Sequence, residues 1–200
     1  MTRVAVLVSG GGSNLQALID AHRRGELPGA EIVLVLSSRS GVYALERAKA
    51  ANIPAEVIPR KELSDEDFDA RLLQRLTAAE ADLVILAGFL SVLGPLTLER
   101  YSRRIINVHP SLIPSFCGPG MYGLRVHEAA LSKGVKVTGA TVHMVNEIVD
   151  GGEILLQKAV EVLPGDTPPI LQRRVMEQAE WVLLPRAVGM FCRGEIPIRR

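Results

Sequence analysis

An α/β fold, with a Rossmann-like parallel sheet flanked by helices and antiparallel strands in the C-terminal half, is what this sequence predicts. Apolar runs bounded by turn signals alternate with helix-period segments, the pattern of a sheet with crossover helices. The runs Val4–Val8 and Leu83–Ala87 are almost unbroken in apolar residues, as strands covered on both faces must be. The antiparallel part rests on two extended segments, Val135–Val145 and Glu153–Val162, joined through the turn Ile148-Val149-Asp150-Gly151-Gly152.

Strands are expected at residues 3–9, 31–37, 55–59, 82–87 and 104–108, and helices at about 14–24, 42–52, 65–80 and 95–102. A long helix over about 167–192 closes the pattern, with Thr167 as its cap and Pro168 at the first position, where no N–H is needed. A chain of 200 residues with 48% hydrophobic content can fill one substantial core. No repeat, low-complexity tract or linker divides it, so residues 1–200 are expected to be a single catalytic domain.

A net charge of +1 lacks the electrostatic footprint of a nucleic-acid or anionic-membrane partner. The pairs Arg23-Arg24, Arg103-Arg104, Arg173-Arg174 and Arg199-Arg200 read as solvated faces. Two cysteines, Cys117 and Cys192, argue for a reducing compartment and against a disulfide framework. Val4–Val8 is too short to span a bilayer, and no small-residue cleavage site follows it. The expectation is a cytoplasmic protein, monomer or homodimer, acting on small molecules.

The chemistry concentrates in Ile105-Ile106-Asn107-Val108-His109-Pro110-Ser111-Leu112-Ile113-Pro114. In a strand, residues i and i+2 share a face, so Asn107 and His109 project into one space while Val108 points away. An amide donor beside a group that titrates near neutrality suits acyl transfer: the amide stabilises an oxyanion and the imidazole moves the proton. Pro110 and Pro114 end regular structure and make a rigid exit from the strand.

Upstream, Ser9-Gly10-Gly11-Gly12-Ser13-Asn14 joins the first strand to the first helix. Such a loop leaves backbone N–H groups at a positive helix end, which suits a phosphate. It is neither the dinucleotide fingerprint nor a P-loop. The alternative is a tight βα turn capped by Ser13.

Downstream, Asp150 precedes Gly151-Gly152 and is either a turn residue or a partner that raises the pKa of His109. In Thr138-Gly139-Ala140-Thr141-Val142-His143, Thr141 and His143 share a face, and His143 reads best as a hydrogen-bonded sheet histidine. His22 and His127 lie on helical patterns and read as surface residues. No spacing resembles a zinc site, so no metal is expected. Ser111 lies too close to His109 along the chain to suggest a serine hydrolase, and Cys117 reads as a bystander.

These blocks, with Leu86-Ala87-Gly88-Phe89 and Val149-Asp150-Gly151-Gly152, occur in one order that resembles the phosphoribosylglycinamide formyltransferases, folate-dependent transformylases of purine synthesis. The resemblance spans nearly the whole chain. The block around His109 is shared across the formyltransferase superfamily, and its combination with the Ser-Gly-Gly-Gly-Ser-Asn loop is more specific. It implies Asn107, His109 and Asp150 as the catalytic triad. It implies that Gly11, Gly12, Ser13 and Asn14 hold a ribonucleotide phosphate, with Gly88 and Pro110 bordering the glycinamide. The pterin of 10-formyltetrahydrofolate, the co-substrate, would lie against Phe89, Leu90, Ser91, Val92 and Leu93 and against Asn146, Glu147, Ile148 and Val149.

The sequence departs from the family in three places. Ser91 stands where members often carry an arginine, and the segment 64–67 is acidic where another arginine would meet the folate tail. Val175–Trp181 carries one additional residue, so the ribose contact falls to Glu180, with Glu177 as the alternative. The glycine-rich stretch 115–124 has the composition of a mobile cover. Rival readings are a formyltetrahydrofolate hydrolase, a methionyl-tRNA formyltransferase, which would need a nucleic-acid-binding domain, and a non-catalytic binding module.

Overall fold

The computed structural model describes residues 1–196. Strands β1 (Thr2–Val8), β2 (Ala30–Ser37), β3 (Ala55–Val57), β4 (Leu83–Leu86), β5 (Ile105–His109), β6 (Val137–Met144) and β7 (Ile154–Glu161) make one sheet ordered β3-β2-β1-β4-β5-β6-β7. The first five run parallel, whereas β6 is antiparallel to β5 and β7 to β6. The expected α/β architecture is therefore present, strand for strand.

Burial of β1 follows the period of two. Val4, Val6 and Val8 enter one core, while Ala5 and Leu7 enter the other. The first core is closed by α1 (Ser13–Arg23), α6 (Pro168–Val175) and α7 (Trp181–Cys192), through Leu15, Leu18, Leu171 and Leu184. The second is closed by α3 (Asp65–Ala78) through Phe68, Leu72 and Leu76. Each such side chain contributes about 1.5–3 kcal/mol when fully buried, so the sheet is clamped from both sides. Ser64 caps α3 by accepting from the Asp67 N–H at 3.0 Å, and Asp65, Glu66 and Asp67 complement the positive end of the helix.

From β1 the chain moves outward to β2 and β3, then crosses back to β4 on the other side of β1. The loops leaving β1 and β4 diverge at that reversal, and a crevice opens at the carboxyl ends of the strands.

Three local expectations are corrected. Gly12, in the left-handed region at φ 72°, is the N-cap of α1, and Ser13 is already helical, so the serine does not cap. Thr167 occupies the N-cap of α6 without a side-chain cap bond. The closing helix runs from Pro168 to Cys192 as expected, but it is not α-helical throughout: a five-residue π-turn, Met176–Glu180, lies between α6 and α7. A π-turn takes up one extra residue within a helix, and it falls on the stretch Val175–Trp181 where the family resemblance implies an additional residue. A further helix, α5 (Leu124–Lys133), precedes β6.

Two of the glycines that leave no room for a Cβ shape the site. A Cβ on Gly152 would stand 1.8 Å from the Met144 carbonyl oxygen, so only glycine lets the chain re-enter beside β6. A Cβ on Gly12 would stand 2.7 Å from the Ala44 Cβ in the first turn of α2 (Tyr43–Ala50). That turn is tied to the loop, because the Ala44 N–H donates to the Gly10 carbonyl at 3.2 Å. Gly12→Ala adds a clash to an unfavourable φ and is expected to cost about 1–3 kcal/mol. Thermal unfolding should show a melting temperature lower by roughly 2–4 °C per kcal/mol.

Candidate active site

The crevice is a cleft of about 820 Å³. Gly10–Asn14 after β1 form one end, and Leu86–Leu93 after β4 form a wall. Asn107, Val108, His109 and Pro110 from the end of β5 form the floor, and the turn 145–150 and the loop 118–123 form the far side. Every site residue expected from the sequence lines this cleft: Gly11, Gly12, Ser13, Asn14, Gly88, Phe89, Leu90, Ser91, Val92, Leu93, Asn107, His109, Pro110, Asn146, Glu147, Ile148, Val149, Asp150 and Glu180.

Strand register assembles the polar floor. Asn107 pairs directly with His143 across β5 and β6, and His109 pairs with Thr141. The His143 Nδ1–H donates to the Met144 carbonyl at 2.7 Å. Its Nε2 is then the acceptor for the Asn107 amide N–H at 3.0 Å, which orients that amide. Thr141 does not reach the cleft; it accepts from the Ile113 N–H and donates to the Ser111 carbonyl, fixing the exit from β5. Ser111 donates to the Ser115 carbonyl and is a turn residue.

The His109 Nδ1 stands 3.5 Å from the Asp150 carboxylate, and the His143 Nε2 faces the other carboxylate oxygen at 3.6 Å. The His109 Nε2–H donates to the Phe116 carbonyl at 2.9 Å, and the Gly118 N–H donates to Asp150 at 2.8 Å. The loop 115–123 thus holds both members of the pair. Asp150 sits at φ 56°, a left-handed conformation uncommon for a non-glycine residue.

Burial tends to raise the Asp150 carboxyl, but His143 and His109, when protonated, and the Gly118 N–H favour its charged form and hold it below its ordinary value. His109 is 4% exposed, and burial pulls its pKa below the ordinary value against the opposing pull of the Phe116 carbonyl and Asp150. The expectation that Asp150 raises His109 is corrected accordingly: the carboxylate acts in that direction, but desolvation outweighs it.

At the other end, Glu180 and Asn14 face each other from the π-turn and α1. The Asn14 amide donates to Glu180 at 2.7 Å. Glu180 is 6% exposed, and burial pushes its pKa up to about 7, with the Asn14 bond opposing. Glu177 is exposed and paired with Arg173, so of the two glutamates Glu180 is the one that lines the cleft.

Sequence reading missed several participants. Ser9 accepts from the Leu90 N–H at 2.9 Å, tying the β1 exit to the wall after β4. Arg47, Gln172, Met176 and Tyr122 also line the cleft, from elements distant in sequence. His127 is not a surface residue: it is 0% exposed, on the face of α5 shared with Val126 and Ala130. Burial pushes its pKa down to about 4, so it is neutral. The apolar positions at 126 and 130 were the available signal. Residues 64–67 cap α3 and do not line the cleft. Cys117 and Cys192 are free thiols, and among the described residues no side-chain cluster could hold a metal ion.

The formyl transferase family model matches residues 2–188, from β1 through the first two turns of α7. The chain belongs to that family. It is similar to a phosphoribosylglycinamide formyltransferase of Haemophilus influenzae, 38% identical over 200 residues, with 100% of this chain and 91% of the relative covered. It is 45% identical over 194 residues to the trifunctional purine biosynthetic protein adenosine-3 of Drosophila melanogaster, covering 96% of this chain but only 14% of that protein. The glycinamide ribonucleotide transformylase 1 of Symbiobacterium toebii has a similar structure, with a TM-score of 0.92 at 42% identity over 100% of this chain and 91% of that one.

Glu180 makes the stability of the protein pH-dependent. Its raised pKa favours the neutral carboxyl in the folded state, an advantage fully present below the unfolded pKa and lost as pH rises through about 7. Glu180→Gln removes that dependence. Chemical denaturation is expected to show the variant gaining on the parent protein between pH 5 and pH 8, by up to roughly 3 kcal/mol. A stability difference that does not change with pH would refute this.

Proposed function

We propose that this protein transfers the formyl group of 10-formyltetrahydrofolate to the amine of glycinamide ribonucleotide, in de novo purine synthesis. The observation that carries the reading is the meeting of Asn107, His109 and Asp150 midway along one cleft. At one end of that cleft is a glycine loop opening a helix, and at the other a partly exposed apolar wall. The named relatives that this chain covers almost fully point the same way. Residues 1–200 would act as one catalytic unit in the cytoplasm, as a monomer or homodimer.

In this reading Gly11, Gly12, Ser13 and Asn14 receive the phosphate, Glu180 receives the ribose hydroxyls, and Gly88 and Pro110 flank the glycinamide. Phe89, Leu90, Ser91, Val92 and Leu93 pack on one side of the pterin, and the backbone of Asn146, Glu147, Ile148 and Val149 meets its polar edge. No metal takes part in the proposed chemistry.

The substrate amine attacks the formyl carbon, forming a C–N bond and leaving negative charge on oxygen and positive charge on nitrogen. The Asn107 amide, oriented by His143, donates to the oxyanion. Neutral His109, the resting form that burial favours, takes the proton from the new ammonium. The ionised Asp150 stabilises the imidazolium so formed. Collapse of the intermediate breaks the bond between carbon and N10, and His109 returns its proton to N10. One proton leaves the amine and one reaches the folate, so the step balances.

Two measurements test this. Following folate absorbance with and without glycinamide ribonucleotide should show deformylation only when the ribonucleotide is present. Equal deformylation without it would mean a hydrolase, and binding without turnover a non-catalytic module. Asn107→Ala should lower kcat by about 10²–10³ with little change in KM, since an oxyanion donor acts chiefly in the transition state. Near-normal turnover in that variant would remove Asn107 from the mechanism.

A further inference from the structure

The glycine loop by itself is a weak anion site. A helix N-terminus supplies roughly half an elementary charge, whereas a phosphate monoester carries about −1.5 to −2 at neutral pH. The cleft makes the imbalance worse, because its ionisable acids, Glu147, Asp150 and Glu180, all disfavour an anion when charged. Among the described residues one lysine or arginine lines the cleft: Arg47, on α2.

Arg47 is fixed where that charge is needed. Its Nε–H donates to the Gly11 carbonyl at 2.8 Å, and its Nη1–H donates to the Gln16 side-chain oxygen at 2.9 Å. The guanidinium lies over the Tyr43 ring, 4.9 Å from its centroid. The arginine stem passes the loop so closely that a Cβ on Gly12 would stand 3.4 Å from its Cδ. Nε and Nη1 are thereby held by the loop and by α1, and the N–H bonds of Nη2 meet no protein acceptor among the described residues. Arg47 also borders a smaller hollow of about 240 Å³ beside Gln16, Asp20 and Trp181.

We propose that Arg47 is the charge-bearing specificity residue for the substrate phosphate, gripping the loop through Gly11 with its Nε–H and meeting the anion with Nη2. The inference rests on the ribonucleotide reading above and adds a residue to it. Two roles, loop brace and counter-charge, fall on one side chain, and lysine and glutamine substitutions separate them. Lysine keeps the charge without the planar fork, and glutamine keeps neither.

The test combines calorimetric binding of ribose 5-phosphate with steady-state kinetics on glycinamide ribonucleotide and its dephosphorylated riboside. The parent protein should bind ribose 5-phosphate and prefer the phosphorylated substrate. Arg47→Gln should raise the ribonucleotide KM roughly 10- to 100-fold, the range for a hydrogen bond to a charged group, with kcat nearly kept. It should also lose most of the preference over the riboside and flatten the dependence of KM on ionic strength. Arg47→Lys should fall between the two. Equal impairment of both variants, with the salt dependence retained, would reduce Arg47 to a brace and overturn the proposal, as would an unchanged KM in Arg47→Gln. If the parent protein binds no ribose 5-phosphate, the ribonucleotide reading of the loop fails first and this inference with it.

Discussion

The antiparallel pairing of β6 with β5 is the constraint on which the site depends. In a parallel pairing β6 would run past β5 in the opposite sense, with Thr141 toward the amino end of β5 and Met144 toward its carboxyl end. Reversal brings His143 opposite Asn107 and Met144 opposite Ile106, so the turn 145–150 starts beside the amino end of β5 and folds back to line the cleft. Directly opposed residues on an antiparallel pair lie about 4.5–5.5 Å apart at Cβ, close enough for one side chain to orient the other. Asn107 consequently meets its orienting partner through the ladder itself. Asp150 reaches His109 because Gly152 allows the returning chain to pass against the Met144 carbonyl.

Polar groups are concentrated where the apolar sheet would be expected to exclude them, and each is tied to its neighbour. His109, His143 and Asp150 are all largely removed from water, which makes any unpaired member costly. The loop 115–123 relieves that cost by supplying the Phe116 carbonyl to His109 and the Gly118 N–H to Asp150. His109 and Asp150, to which the proposed reaction assigns the proton and its counter-charge, are thus held by backbone groups from a segment with no regular structure. The left-handed backbone at Asp150 and Phe116 lies within this arrangement, where surrounding bonds can sustain it.

Much of this was legible in the chain because periodicity and punctuation are local. Val4–Val8 and Leu83–Ala87 announced buried strands, and the Asn107–His109 spacing placed two side chains on one face. What escaped depends on contacts between distant segments. Nothing in the sequence around Asn107 reveals that His143 would stand opposite, since that is a matter of register. Arg47 gives no local signal either, because an arginine on a polar helix reads as solvated until α2 is seen against the glycine loop. The reversal for His109 has the same origin: a carboxylate partner can be read from sequence, but the depth of burial that outweighs it cannot. His127 was a failure of weighing, since Val126 and Ala130 already marked the buried face.

The π-turn between α6 and α7 has a consequence for how this architecture can change. In a regular helix each added residue rotates everything beyond it by about 100°. Here such an insertion would have turned Leu183, Leu184 and Val188 out of the core while moving the carboxyl of Glu180. A wide turn absorbs that rotation within Met176–Glu180, so the packing face of α7 keeps its phase. Reach and angle at the substrate can vary here by single residues while the hydrophobic interior retains its alignment.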